Sequence, residues 1–165
     1  MTERTALRSS IAAVAVTGAL AASLTGCGSS QQSYCSTLKS DKARLATLSA
    51  QAAKPGAAGS RALRRTVDVL DTLRDKAPDD IHDEWVRVAD AFGGLQQAVA
   101  DSGAAPGDFR GGRRPSGLTS GQVRAVQQAA AELQATPVQQ AGKSIEQHAQ
   151  DVCKVDLGSE LGTGG

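Results

Sequence analysis

Apolar residues are spaced helically along almost the whole chain. Between Ser33 and about Ala53 they fall at Tyr34, Leu38, Leu45, Leu48 and Ala52, steps of four, seven, three and four that keep one face of an α-helix apolar. Pro55, Gly56 and Gly59 end this pattern, since proline and glycine both interrupt a helix. A second helix is predicted from Ser60, read as its cap, to Lys76, with Leu63, Val67, Leu70 and Leu73 on one face and Pro78 closing it. A third, capped by Asp79 or Asp80, carries Ile81, Trp85, Val88, Phe92, Leu95 and Val99. That is the sharpest one-sided stripe in the chain. Gly93 and Gly94 interrupt it at about 1 kcal/mol each relative to alanine, which predicts a close helix contact or a bend there.

Residues 103–117 are rich in Gly, Pro, Ser and Arg, with Phe109 as the one large apolar side chain. A connection of this length and composition is expected to be a mobile loop. Beyond it, Thr119 followed by Gln122 fits a capping box, and Val123, Val126, Ala130 and Leu133 mark a fourth helix. Thr136, Pro137 and Gln139 repeat the start signal, with proline at the first helical position. A last helix then carries Val138, Ile145, Ala149 and Val152 and ends near Cys153. The fold class that follows is all-α, a four- to five-helix up-and-down bundle spanning residues 34–157, with a disordered tail over 158–165.

Composition supports helices. Aromatic residues make up 2% of the chain, so the core must be built from Leu, Val, Ile and many Ala, which favours close helix packing over a sheet. Net charge is +1, and removal of residues 1–26 would leave 16 basic and 16 acidic residues. Electrical neutrality with mixed signs gives no overall argument for nucleic acid or for electrostatic membrane binding.

The amino terminus reads as a targeting segment. Arg4 and Arg8 precede an uncharged apolar run from Ile11 to Leu24, about the length of a signal-peptide core. A lasting transmembrane helix needs roughly 20 apolar residues, and this run stops short at Thr25, Gly26, Cys27 and Gly28. Leu24-Thr25-Gly26-Cys27 resembles the lipobox of bacterial lipoproteins. The resemblance implies that residues 1–26 are a cleaved signal peptide and that Cys27 carries acyl chains. Such chains hold a protein to the outer face of the cell membrane at about 0.8 kcal/mol per buried methylene. Residues 27–33 would then be a lipidated flexible tether, mechanically separating anchor from bundle.

Setting Cys27 aside leaves Cys35 and Cys153, one near each end of the mature chain. An even pair outside the cytoplasm points to a disulfide joining the first and last helices; two unpaired buried thiols are the alternative. Their spacing with His82 and His148 matches no zinc pattern, so no metal is expected.

Three clusters invite a chemical reading. Asp79-Asp80-Ile81-His82-Asp83-Glu84 carries enough carboxylate to suggest cation binding. The acids also suit the first turn of a helix, where they complement its dipole, and Trp85 breaks the alternation that a calcium loop requires. Glu146, His148 and Asp151 gather near the chain's last helical turns without any nucleophile motif. Arg110, Arg113 and Arg114 resemble arginine-glycine segments, which on an envelope protein would contact anionic lipid heads or wall polymers, or remain a solvated linker.

Taken whole, the chain resembles small uncharacterised helical lipoproteins of actinobacteria. The shared features are the lipobox, Tyr34-Cys35 near the mature start, and the ending Cys153-Lys154-Val155-Asp156-Leu157. The resemblance implies an address and a disulfide, and no activity. The functional expectation is a membrane-anchored, extracytoplasmic, non-catalytic module that binds a protein or small ligand, with no cofactor, no catalytic residues and no nucleic-acid partner. An envelope hydrolase or metal-dependent enzyme using His82 or His148, and a structural spacer of the envelope, are the alternatives.

Overall fold

The computed structural model describes residues 27–112 and 115–158, without the side chains of 27–29 and 110–112. Five α-helices follow one another: α1 Cys27–Ala52, α2 Gly56–Lys76, α3 His82–Ser102, α4 Ser120–Glu132 and α5 Thr136–Asp151, with a 3-10 segment at Pro106–Gly112 between α3 and α4. The described residues contain no strand. Helices α1, α2 and α3 alternate in direction. Helices α4 and α5 together form the fourth leg, and both pack on α3. The all-α up-and-down bundle is thus what the chain forms, with its last leg broken at residues 133–135.

The main core joins Tyr34, Leu38, Leu45 and Leu48 of α1 to Val69, Leu70 and Leu73 of α2, Trp85 and Val88 of α3, and Val138, Ile145 and Ala149 of α5. Except for Val69, which takes the place expected of Val67, these core residues are positions that helical spacing singled out; on α4, Val123 is half-buried and Ala130, also expected on the stripe, is exposed. Val155 and Leu157, past the last helix, are also buried in it. A smaller cluster of Leu63, Val99 and Val126 sits at the other end, with Phe92, Leu95 and Phe109 packed against it. Val152 was expected on the buried stripe, yet it is 37% exposed.

Several helix ends depart from expectation. Helix α1 begins at Cys27, six residues before the expected start at Ser33, so the stretch 27–33 expected as a flexible tether is helical. Nothing in Ser29-Ser30-Gln31-Gln32 breaks a helix. Helix α2 starts at Gly56 behind Pro55, and Ser60 lies inside it rather than capping it. Ile81, not Asp79 or Asp80, stands at the cap position of α3. The Thr119 capping box is present in full, with the Thr119 side chain accepting from the Gln122 amide and the Gln122 side chain accepting from the Thr119 amide. Its apparent copy is not: Ala135 is the cap of α5, and Thr136 is already helical. Gln139 instead donates its side-chain amide to the Leu133 carbonyl, at 2.8 Å.

Gly93 and Gly94 mark no close contact, because a Cβ added at either would meet nothing within 4 Å. The close approaches occur at Gly59 and Gly107 instead. A Cβ at Gly107 would fall 2.4 Å from the Lys54 carbonyl carbon, so the 3-10 segment lies directly on the turn between α1 and α2. The stretch 103–117, expected as a structureless mobile loop, therefore contains a docked helical turn.

Candidate functional site

The disulfide between Cys35 and Cys153 closes the end of the bundle where α1 begins and α5 stops, with Cα atoms 5.1 Å apart and a sequence separation of 118. Cys35 lies on α1, while Cys153 is held just beyond α5 by its amide, which donates to the Ala149 carbonyl at 3.1 Å. Lys154 then takes a left-handed conformation, φ 55°, and turns the chain so that Val155 and Leu157 reach the core.

Beside the disulfide lies the aromatic centre of the molecule. Trp85 donates its indole N–H to the Tyr34 hydroxyl at 3.0 Å, and both side chains are fully buried. Their rings meet edge-on with centroids 6.4 Å apart. Burial pushes the Tyr34 phenol up to about 12. The Trp85 hydrogen bond works against that shift, and the negative charge of Asp80 adds to it.

His148 tilts against Tyr34 at 5.7 Å between centroids. Its side chain is 10% exposed, and neither ring nitrogen has a hydrogen-bond partner. The nearest approach is the Asp80 carboxylate, 3.6 Å from Nε2, a charged contact in the protonated form of the ring. Enclosed polar atoms of this kind cost about 1–3 kcal/mol each. A general base must come within hydrogen-bond reach of the proton it removes, and here the nitrogens are covered by protein. His82 sits apart in character, half-exposed and 3.8 Å from Asp83. No group of three or more His, Cys, Asp or Glu among the described residues could hold a metal ion.

The opposite end carries a different chemistry. Asp108, in the 3-10 segment, accepts from the Ala105 amide at 2.8 Å and from the Gly56 amide at 3.2 Å. It thereby ties the long connection to the uncapped start of α2. Next to it a hollow of about 390 Å³ opens between α2 and α3, walled by small residues such as Ala57, Ala100, Gly103 and Ala104 and edged by Arg61 and Arg64. Sequence reasoning missed this hollow. Arg61 and Arg64 looked like the ordinary polar face of α2, and only the return of α3 and the docked 3-10 segment builds a concavity beside them.

Of the residues singled out beforehand, Cys35 and Cys153 are bonded to each other. Cys27 is the first residue of α1, but its side chain lies outside the described residues, as does the signal segment 1–26. Arg110 belongs to the 3-10 segment without a described side chain, and Arg113 and Arg114 lie outside the described residues altogether. Trp85 is fully buried, and Val152 is the exposed large hydrophobic residue among those described. No described helix is long and apolar enough to cross a membrane. Comparison with known proteins finds no matching family model, no similar curated protein and no similar solved structure.

Proposed function

We propose that this chain is a lipid-anchored extracytoplasmic module, fixed through Cys27 to the outer face of the cell membrane, whose helical bundle binds a partner rather than transforming a substrate. The observation that carries the reading is the Cys35–Cys153 bond. Structural disulfides belong to oxidising compartments outside the cytoplasm. The bond also uses two of the chain's three cysteines, leaving Cys27 in its lipobox as the one available for acylation. Its place at the first residue of α1 would put the membrane at the disulfide end and the Arg61 and Arg64 end outermost. A helix of 26 residues extends about 39 Å at 1.5 Å per residue. The bundle would then hold its arginine-edged hollow clear of the lipid headgroups.

The test is made in cells by following the Cys27→Ala variant through membrane fractionation and mass spectrometry. Cys27→Ala is expected either to leave the precursor uncut or to release the protein from the membrane. A processed Cys27→Ala protein that stays on the membrane as the wild type does would refute the lipid anchor.

A further inference from the structure

Basic side chains gather at one end of the fold. The end formed by the α1–α2 turn, the start of α2 and the end of α3 collects Lys54, Arg61, Arg64 and Arg65, all exposed. Two carboxylates, Asp101 and Asp108, are brought to the same end and accept hydrogen bonds there, while Asp68 lies exposed one turn beyond Arg64 on α2. Asp108 accepts from two backbone amides, and Asp101 accepts from the Gln97 side chain at 2.8 Å. At the disulfide end, by contrast, Arg74 lies between carboxylates, 2.8 Å from Asp71 and 3.0 Å from Asp75.

We propose that Arg61 and Arg64 bind phosphate groups of an extended anionic polymer, seated in the hollow between the start of α2 and the end of α3. The inference rests on the reading of the chain as an envelope binding module and names the ligand class of that module. Three residues apart on α2, the two guanidinium groups share a face. Neither makes an ion pair or hydrogen bond with any described residue. Like charges at that spacing disfavour a helix, and a bound anion removes the conflict. The guanidinium fork matches phosphate oxygens two at a time. Both arginines edge a concavity of about 390 Å³ walled mostly by small residues, with Asp108, whose carboxylate is held by the Gly56 and Ala105 amides, also in its lining, so a chain can lie close against the protein on the arginine side. The partial positive charge at the start of α2 is met by the Asp108 carboxylate, so the attraction for an anion comes from the two guanidinium groups. A concave seat suits a polymer strand better than a flat bilayer, and it stands at the end of α1 opposite Cys27.

The experiment uses the mature full-length protein in detergent with labelled inorganic polyphosphate, read by fluorescence anisotropy, beside monomeric phosphate and phosphatidylglycerol vesicles. Saturable polyphosphate binding is expected, falling about tenfold between about 50 and about 300 mM salt, the dependence of two phosphate contacts on a single strand. Arg61→Gln with Arg64→Gln should weaken it at least about tenfold, whereas Arg87→Gln, an exposed arginine in the first turns of α3, should leave it within about twofold. Circular dichroism and an intact disulfide establish that each variant is folded. Absence of saturation, or a double variant that binds like the wild type, overturns the proposal. So does equal binding to the vesicles through the same two arginines, which would make the ligand a membrane surface. Lost polymer binding with intact anchoring sinks the ligand alone, and lost anchoring with intact polymer binding sinks the address alone.

Discussion

Tyr34 shows how much one side chain can report. It is the chain's single tyrosine, so absorbance near 295 nm follows its ionisation without interference from another phenol. Burial holds its folded-state pKa near 12, raised from the ordinary 10. The unfolded chain therefore loses the phenolic proton first as pH rises. The contribution to stability is complete below pH 10 and disappears as pH climbs through about 12. At about 1.4 kcal/mol per unit the loss is about 2–3 kcal/mol. Tyr34→Phe should abolish that part of the pH dependence, while at neutral pH it leaves the buried Trp85 N–H unpaired at a cost of about 1–3 kcal/mol. A tyrosine absorbance midpoint at the model-compound value in the folded protein would contradict this account. The sequence marked Tyr34 and Trp85 as buried, because each falls on an apolar stripe. Their mutual hydrogen bond spans 51 residues, and nothing in a local pattern says which two stripes will meet, or that His148 will join them.

At the scale of the element, helix interiors were legible and helix starts were much less so. An apolar stripe repeats over five or six positions, so a single exception such as Val67 does not disturb it. A cap is one side chain with several alternatives. Thr119 with Gln122 and Thr136 with Gln139 carry the same signature, yet only the first closes a box, because Thr136 is already helical and Ala135 stands at the cap position. The start of α2 is the extreme case. Its first amide is served by Asp108, 52 residues away, which no inspection of residues 55–60 reveals. Asp108→Ala should remove both of its backbone partners and destabilise the protein by about 1–2 kcal/mol, the usual cost of losing a cap. Amide hydrogen exchange at Gly56 and Ala105 should accelerate, while the Thr119 end of α4 is unaffected. Unchanged exchange at those two amides would mean that the 3-10 segment is held by Phe109 packing and the Gly107 contact alone.

For the whole molecule, the direction of the helices followed from their number and short connections, but the distribution of charge did not. A chain with equal numbers of acids and bases after residue 26 has no net sign to read, and the basic cluster forms because α2 brings its arginine-rich start next to the end of α3. The disulfide was legible because two cysteines admit one pairing. Its loop encloses nearly the whole domain, with 118 residues of sequence separation. In the chain-entropy account a loop of that size stabilises the folded state by about 4–5 kcal/mol, by restricting the unfolded chain. A domain of this size is typically stable by only about 5–15 kcal/mol in total. Cys35→Ser with Cys153→Ser should therefore lower the urea midpoint sharply and steepen the transition, because an uncrosslinked unfolded chain exposes more surface. Oxidised and reduced proteins that unfold at the same urea concentration would show that the core suffices by itself. If the midpoint falls as expected, the bundle keeps its full stability only in an oxidising compartment.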